Sequence, residues 1–160
     1  MSTIDDLDAQ VVLLFAREPK IGVLEASRRL GVARGTVQAR LDRLERSGVI
    51  TGWGPAVDPV ALGFPVSAFA TLQIAQAPQH GKGAHQPVAA HLRAIPEVLE
   101  AYTITGEADL MVRLVARSNA DLQRVIDEVV ASPVVVRAST VIVLATEIAP
   151  RVTPLVELVD

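Results

Sequence analysis

The chain has 160 residues, half of them hydrophobic, with a formal net charge of −3 and no cysteine. That composition excludes a disordered chain and leaves room for one domain or two small ones. It also excludes disulfides, thiol catalysis and cysteine-ligated zinc.

The opening MSTIDDLDAQ is acidic and lacks the positively charged flank of a signal peptide. No apolar run approaches the roughly 18 residues that a membrane helix needs. A soluble cytoplasmic protein without a membrane partner is expected. A first helix is read from about Asp8 to Arg17, because Leu7, Val11, Leu14 and Phe15 recur at helical spacing, and Pro19 ends it. Leu24–Leu30 forms a second, short helix. Gly31 supplies the turn, and a third helix starts near Arg34 with Val37, Leu41 and Leu44 on one face and Gly48 as its stop. This is a helix-turn-helix. After it, Val49–Thr51 and Pro55–Val57 are read as a short two-stranded wing, with Trp53 packing the wing against the linker. The turn-rich DPVALGFP at Asp58–Pro65 marks a boundary, which divides the chain into 1–63 and 64–160.

The second part reads as strand Val66–Ala75, a loop, a helix opened by Pro87 and stopped by Pro96, and a hairpin of Val98–Thr105 and Leu110–Ala116. A second helix follows the Ser118–Asp121 cap, and a last strand runs over Thr140–Ile148. Each half repeats a helix, a Pro-x-Val step and a strand, which is the ferredoxin-like βαββαβ arrangement. The fold class is therefore α+β, a winged helix-turn-helix followed by a ferredoxin-like domain. The strands look apolar on both faces, as in the Val141–Leu144 run. Helices cover only one face, so a second copy of the chain is the economical cover for the other, and a homodimer is expected.

The chemistry concentrates on the third helix. Six arginines between Arg28 and Arg46 face only Asp42 and Glu45, a local excess of four positive charges on an acidic chain. That stripe points to double-stranded DNA. Arg34, Gly35, Thr36, Gln38 and Ala39 suit the major groove, where small and hydrogen-bonding side chains reach base edges. Arg28, Arg29, Arg40 and Arg43 suit phosphates, with the alternative for Arg40 that it lies along the core edge with its stem buried. His80, His85 and His91 have no carboxylate spaced to complete a metal tetrahedron. There is no phosphate loop, nucleophile elbow or catalytic carboxylate pair, so no catalytic residue, cofactor or metal is expected.

The blocks LGVARGTVQARLDRLERSGVITGW (Leu30–Trp53), DPVALG (Asp58–Gly63), Ile95–Val98, TGEADL (Thr105–Leu110) and STVIVL (Ser139–Leu144) together make the chain resemble the leucine-responsive regulator/AsnC (Lrp/AsnC) family of transcription factors. The resemblance covers nearly the whole chain. It implies a DNA-binding domain and an ACT-like domain for dimerisation and amino-acid effector binding, in dimers that family members commonly assemble into octamers. It carries the effector site to Thr105, Gly106, Glu107, Ala108 and Asp109, with Thr140 beside them. The residue chemistry agrees, since Gly106 lets a carboxylate approach its amide, Glu107 and Asp109 accept from an ammonium group, and Thr140 adds a hydroxyl. The alternative is an enzyme similar to the siroheme decarboxylases, which share both domains. Those carry extra basic residues where Thr51 and Gly52 stand here.

Overall fold

The computed structural model describes residues 4–75 and 85–158. The chain divides into two compact units, Met1–Ala56 with Ile148–Asp160, and Val57–Glu147.

The first unit holds α1 (Asp6–Arg17), α2 (Val23–Leu30), α3 (Arg34–Arg46) and a short helix, α6 (Thr153–Val156), so numbered because five helices precede it in the chain. Asp5 caps α1: its carboxylate accepts the Asp8 N–H at 2.9 Å, and the Asp8 carboxylate accepts the Asp5 N–H at 3.1 Å. This reciprocal pair starts the helix earlier than apolar periodicity alone suggests. Gly31 adopts φ +66, the left-handed conformation that lets α2 end and α3 begin within four residues. The unit's core gathers Val11 and Phe15 of α1, Ala26 of α2, and Val37, Leu41 and Leu44 of α3. Burying a Val or Leu side chain of this kind stabilises a fold by about 1.5–3 kcal/mol.

The expected wing strands do not form: residues 51–58 are irregular. Val49 and Ile50 instead fold back so that both amides donate to the Leu44 carbonyl, at 2.9 and 3.1 Å. Pro55 brings no N–H to a ladder, and glycines at 52 and 54 weaken any strand there. Trp53 packs edge-on against Phe15, ring centroids 5.5 Å apart, and donates its indole N–H to Glu45 at 2.7 Å, so it anchors to α1 and α3 and not to a wing. α6 had no counterpart in the sequence reading. Val156 and Leu155 share an apolar cavity of about 460 Å³ with Val12, Phe15 and Trp53, and Arg17 pairs with Glu157 at 3.7 Å. Residues from Ile148 onward thus join the first unit, which differs from the expected 64–160 division.

The second unit is β1 (Val66–Ile74), α4 (His85–Arg93), β2 (Val98–Thr103), β3 (Leu110–Ala116), α5 (Asn119–Val130) and β4 (Val135–Ile142). All neighbouring strands are antiparallel, in the order β2-β3-β1-β4. α4 begins two residues before Pro87, within whose first turn a proline costs no hydrogen bond. α5 starts where Ser118 Oγ accepts the Asp121 N–H at 3.1 Å. β4 begins and ends earlier than the expected Thr140–Ile148. Ile142 pairs with Ala68, next to the start of β1, and after the Val143 amide reaches the Ser67 carbonyl at 2.8 Å the ladder has no further partner. Val88 and Leu92 of α4, and Leu122, Val125 and Val129 of α5, pack on Ala68, Ala70, Leu72, Val112 and Leu114, so both helices cover one face. Alternation sends Phe69, Thr71, Gln73, Met111, Arg113, Val115, Arg137, Ser139 and Val141 to the other face. That face is mixed, and not apolar throughout as the continuous valine runs suggest. Arg113 pairs with Glu100 at 3.1 Å, and the Tyr102 hydroxyl donates to Glu100 at 3.0 Å. Among the described residues, no helix is long and apolar enough to cross a membrane.

Candidate nucleic-acid interface and ligand pocket

α3 turns Val37, Leu41 and Leu44 into the core and so leaves Arg34, Gly35, Gln38, Ala39, Asp42 and Arg46 exposed along its opposite side. Thr36 is half-buried on one flank. Arg34, Gly35, Gln38 and Ala39 of this stripe, with Thr36, are the residues that the sequence assigns to the major groove. Gln38 Nε2 donates to Asp42 at 2.8 Å, which leaves its carbonyl oxygen and second N–H available. Arg46 Nε caps the Asp42 carbonyl at 3.1 Å. Arg34 has no carboxylate within ion-pair distance among the described residues. Arg28 and Arg29 are exposed on α2, with Arg28 3.6 Å from Glu25 and Arg29 held by Glu18 and Glu25. The two hydrogen bonds to Arg29 raise its already high pKa, and such exposed pairs give way readily to a phosphate.

Arg40 and Arg43 are placed differently from the phosphate role expected of them. Arg40 pairs with Asp5 and lies 3.0 Å from Asp8; Arg43 pairs with Asp8 and lies 3.7 Å from Asp5. The Asp8 side chain is 0% exposed. Burial pushes its pKa up, but the bonds from Arg43, the Asp5 amide and Arg40 outweigh this and hold it below the ordinary value. The Arg40 bond and the Asp8 amide lower the Asp5 pKa to about 2. An acidic helix start looks like surface composition in a sequence; only the crossing of α1 and α3 shows that it meets two arginines.

In the second unit, the turn between β2 and β3 is tied to β1. The Ile104 amide donates to the Asp109 carbonyl at 3.0 Å and the Asp109 amide to the Leu72 carbonyl at 2.9 Å. Gln73 Nε2 donates to the Glu107 carbonyl at 2.7 Å. Gly106 sits at φ +119, which side-chain-bearing residues rarely adopt. A cavity of about 200 Å³ opens beside this turn, lined by Thr71, Gln73, Glu107, Ala108, Arg137 and Ser139.

Of the expected effector residues, Glu107 and Ala108 line the cavity, while Thr105 and Gly106 shape the turn without lining it. The Asp109 carboxylate accepts the Ile74 amide at 2.8 Å and so locks the end of the sheet. Thr140 is a correction: it pairs with Ala70, whose side chain lies under the helices, so Thr140 points to the covered face. Its neighbour Ser139, opposite Thr71, takes the open face. Thr71, Gln73, Arg137 and Ser139 were missed, and strand alternation counted from Ala70 is the signal that finds them. His91 Nε2 donates to the Glu128 carbonyl oxygen of α5 at 2.8 Å, a helix-to-helix link. His80 and the side chain of His85 lie outside the described residues.

Comparison with known proteins agrees with both halves. Residues 4–51 match the winged helix-turn-helix DNA-binding family model, and residues 68–152 match the Lrp/AsnC ligand binding domain. The HTH-type transcriptional regulator FL11 of Pyrococcus furiosus is 30% identical over 141 residues, 88% of this chain and 89% of that protein. The structure of Escherichia coli AsnC superposes with a TM-score of 0.85 at 27% identity, covering 96% of this chain and 100% of that one. The feast or famine regulatory protein Rv3291c of M. tuberculosis, complexed with L-methionine, gives 0.80 at 27% identity, covering 92% and 96%. With a helix-turn-helix at one end, a four-stranded sheet backed by two helices at the other, and family matches to each, the chain belongs to the Lrp/AsnC family of DNA-binding transcriptional regulators.

Proposed function

We propose that this regulator works in the cytoplasm as a homodimer that reads DNA through α3 and answers to a small amino acid. The observation that carries the reading is the exposed α3 stripe of Arg34, Gly35, Gln38, Ala39 and Arg46. Arg34, Thr36 and Gln38 reach base edges, Gly35 and Ala39 permit close approach, and Arg28, Arg29 and Arg46 take phosphates. The first unit binds DNA. The second pairs with its copy through the uncovered sheet face, where Tyr102 and Val141 are more than half exposed.

The effector reading is supported by the cavity's chemistry. Arg137 offers a cation, Glu107 an anion, and Thr71 and Ser139 hydroxyls, a set that complements an amino-acid zwitterion. Its volume of about 200 Å³ is below the roughly 300–1,000 Å³ typical of pockets for drug-sized ligands. The relative that holds L-methionine points to the same ligand class.

Binding of the duplex upstream of its own gene, followed by fluorescence anisotropy with and without each amino acid, tests both parts. Specific binding that one amino acid shifts is the expected result. Equal affinity for all duplexes refutes the specific reader, and the absence of any ligand effect, together with no thermal stabilisation by excess amino acid, refutes the effector.

A further inference from the structure

We propose that Asp8, assisted by Asp5, is a positioning residue for the DNA-reading helix: it holds Arg40 and Arg43 against α1 and thereby fixes which side of α3 meets the duplex. The inference rests on the reading that α3 enters DNA.

The Asp8 carboxylate is fully buried and accepts from the Asp5 amide, Arg40 and Arg43. A buried carboxylate persists only while paired and hydrogen-bonded. Arg40 and Arg43 are one turn apart on α3, so a single carboxylate grips the helix at two points along its axis. The grip is anchored, because Asp8 cannot shift without undoing the reciprocal cap that begins α1. Rotation of α3 about its axis is therefore set from the N-terminus of α1 on one flank and by Val37, Leu41 and Leu44 beneath.

This arrangement also decides which arginines meet phosphate. For Arg40 or Arg43 to turn to DNA, each must leave the carboxylates that hold it, so the new bond to phosphate replaces an equivalent one and removes one of the two cations that compensate the buried Asp8 charge. Arg34 meets no such cost. The six-arginine stripe divides accordingly, with two of its members serving the fold's interior geometry.

The test uses the full chain and measures binding to a non-specific duplex and to the upstream duplex by anisotropy over a salt series. Arg34→Gln lowers the salt slope by about 0.9 for each bound protomer, the loss of one phosphate contact. Arg40→Gln and Arg43→Gln leave the slope at the wild-type value. Asp8→Asn releases its arginines, so the non-specific slope steepens while the ratio of specific to non-specific binding falls; a general loss of fold lowers all binding and steepens nothing. If Asp8→Asn fails to give native circular dichroism, Asp5→Asn serves instead: it keeps a capping oxygen on a half-exposed side chain and steepens the slope in the same direction. A slope that falls by about 0.9 in Arg40→Gln or Arg43→Gln overturns the proposal. So does an unchanged slope in a folded Asp8→Asn or in Asp5→Asn. If the wild-type chain binds no duplex at low salt, the DNA reading fails and takes this one with it, whereas a slope loss confined to Arg34→Gln with no response at Asp8 and Asp5 sinks this proposal alone.

Discussion

Gly106→Ala isolates the backbone demand of the turn beside the cavity. A methyl group built at this position meets nothing within 4 Å, so the substitution adds no clash. The cost is conformational: φ is +119, and a non-glycine residue held in that region pays about 1–3 kcal/mol. The turn cannot relax cheaply, because Ile104, Asp109 and Gln73 bond it across to β1 and itself. In a unit the size of Val57–Glu147, about 1 kcal/mol lowers the melting temperature by roughly 4–8 °C. Two spectral handles separate the units, since the sole tryptophan, Trp53, lies in the first and the sole tyrosine, Tyr102, in the second. Thermal unfolding should show the Tyr102 transition moving down by at least that amount while the Trp53 transition stays. Amino-acid stabilisation of the second unit should fall with it, because a relaxed turn carries Glu107 and Ala108 out of place. Coincident wild-type and Gly106→Ala melts would refute the reasoning.

Three further outcomes follow from the same contacts. The Asp5 pKa is depressed from 3.8 to about 2 by Arg40 and the Asp8 amide, so its stabilisation is complete above pH 3.8 and is lost as pH falls toward 2; Asp5→Asn should flatten that stretch of an acid titration followed by Trp53 emission. Gln38→Ala should cost about 1–3 kcal/mol of discrimination at one base pair and leave the salt slope alone, as read by binding to single-base operator variants. Deleting residues from Ile148 onward strips the half-buried Val156 from α1 and should lower the Trp53 transition by about 1 kcal/mol, with a red shift in emission as the cavity wall opens.

The helices were legible because each carries a full apolar stripe: Val37, Leu41 and Leu44 sit where the 3.6-residue period puts them, and Gly31 and Gly48 stop their helices with positive φ. β3 was legible at both ends, since the Gly106–Asp109 turn and the Ser118 cap bracket it. β4 was not, because Val134–Val136 and Val141–Leu144 are equally strand-like, and only the position of β1 decides which are paired. The same non-local register misassigned Thr140 by one residue, which in a strand means the opposite face. Asp5 and Asp8 stayed invisible as partners for Arg40 and Arg43 because more than 30 positions separate them. α6 is four residues long and has no periodicity to read.

The first unit takes segments from both extremities of the chain, with the second spliced between them. The residues from Ile148 onward are made after every residue of the second unit, so α1 waits for its last packing partners until the second unit's chain has been synthesised. A polypeptide stopped before Ile148 holds all of the second unit but lacks α6, and so leaves α1 without the Leu155 and Val156 side of its cavity.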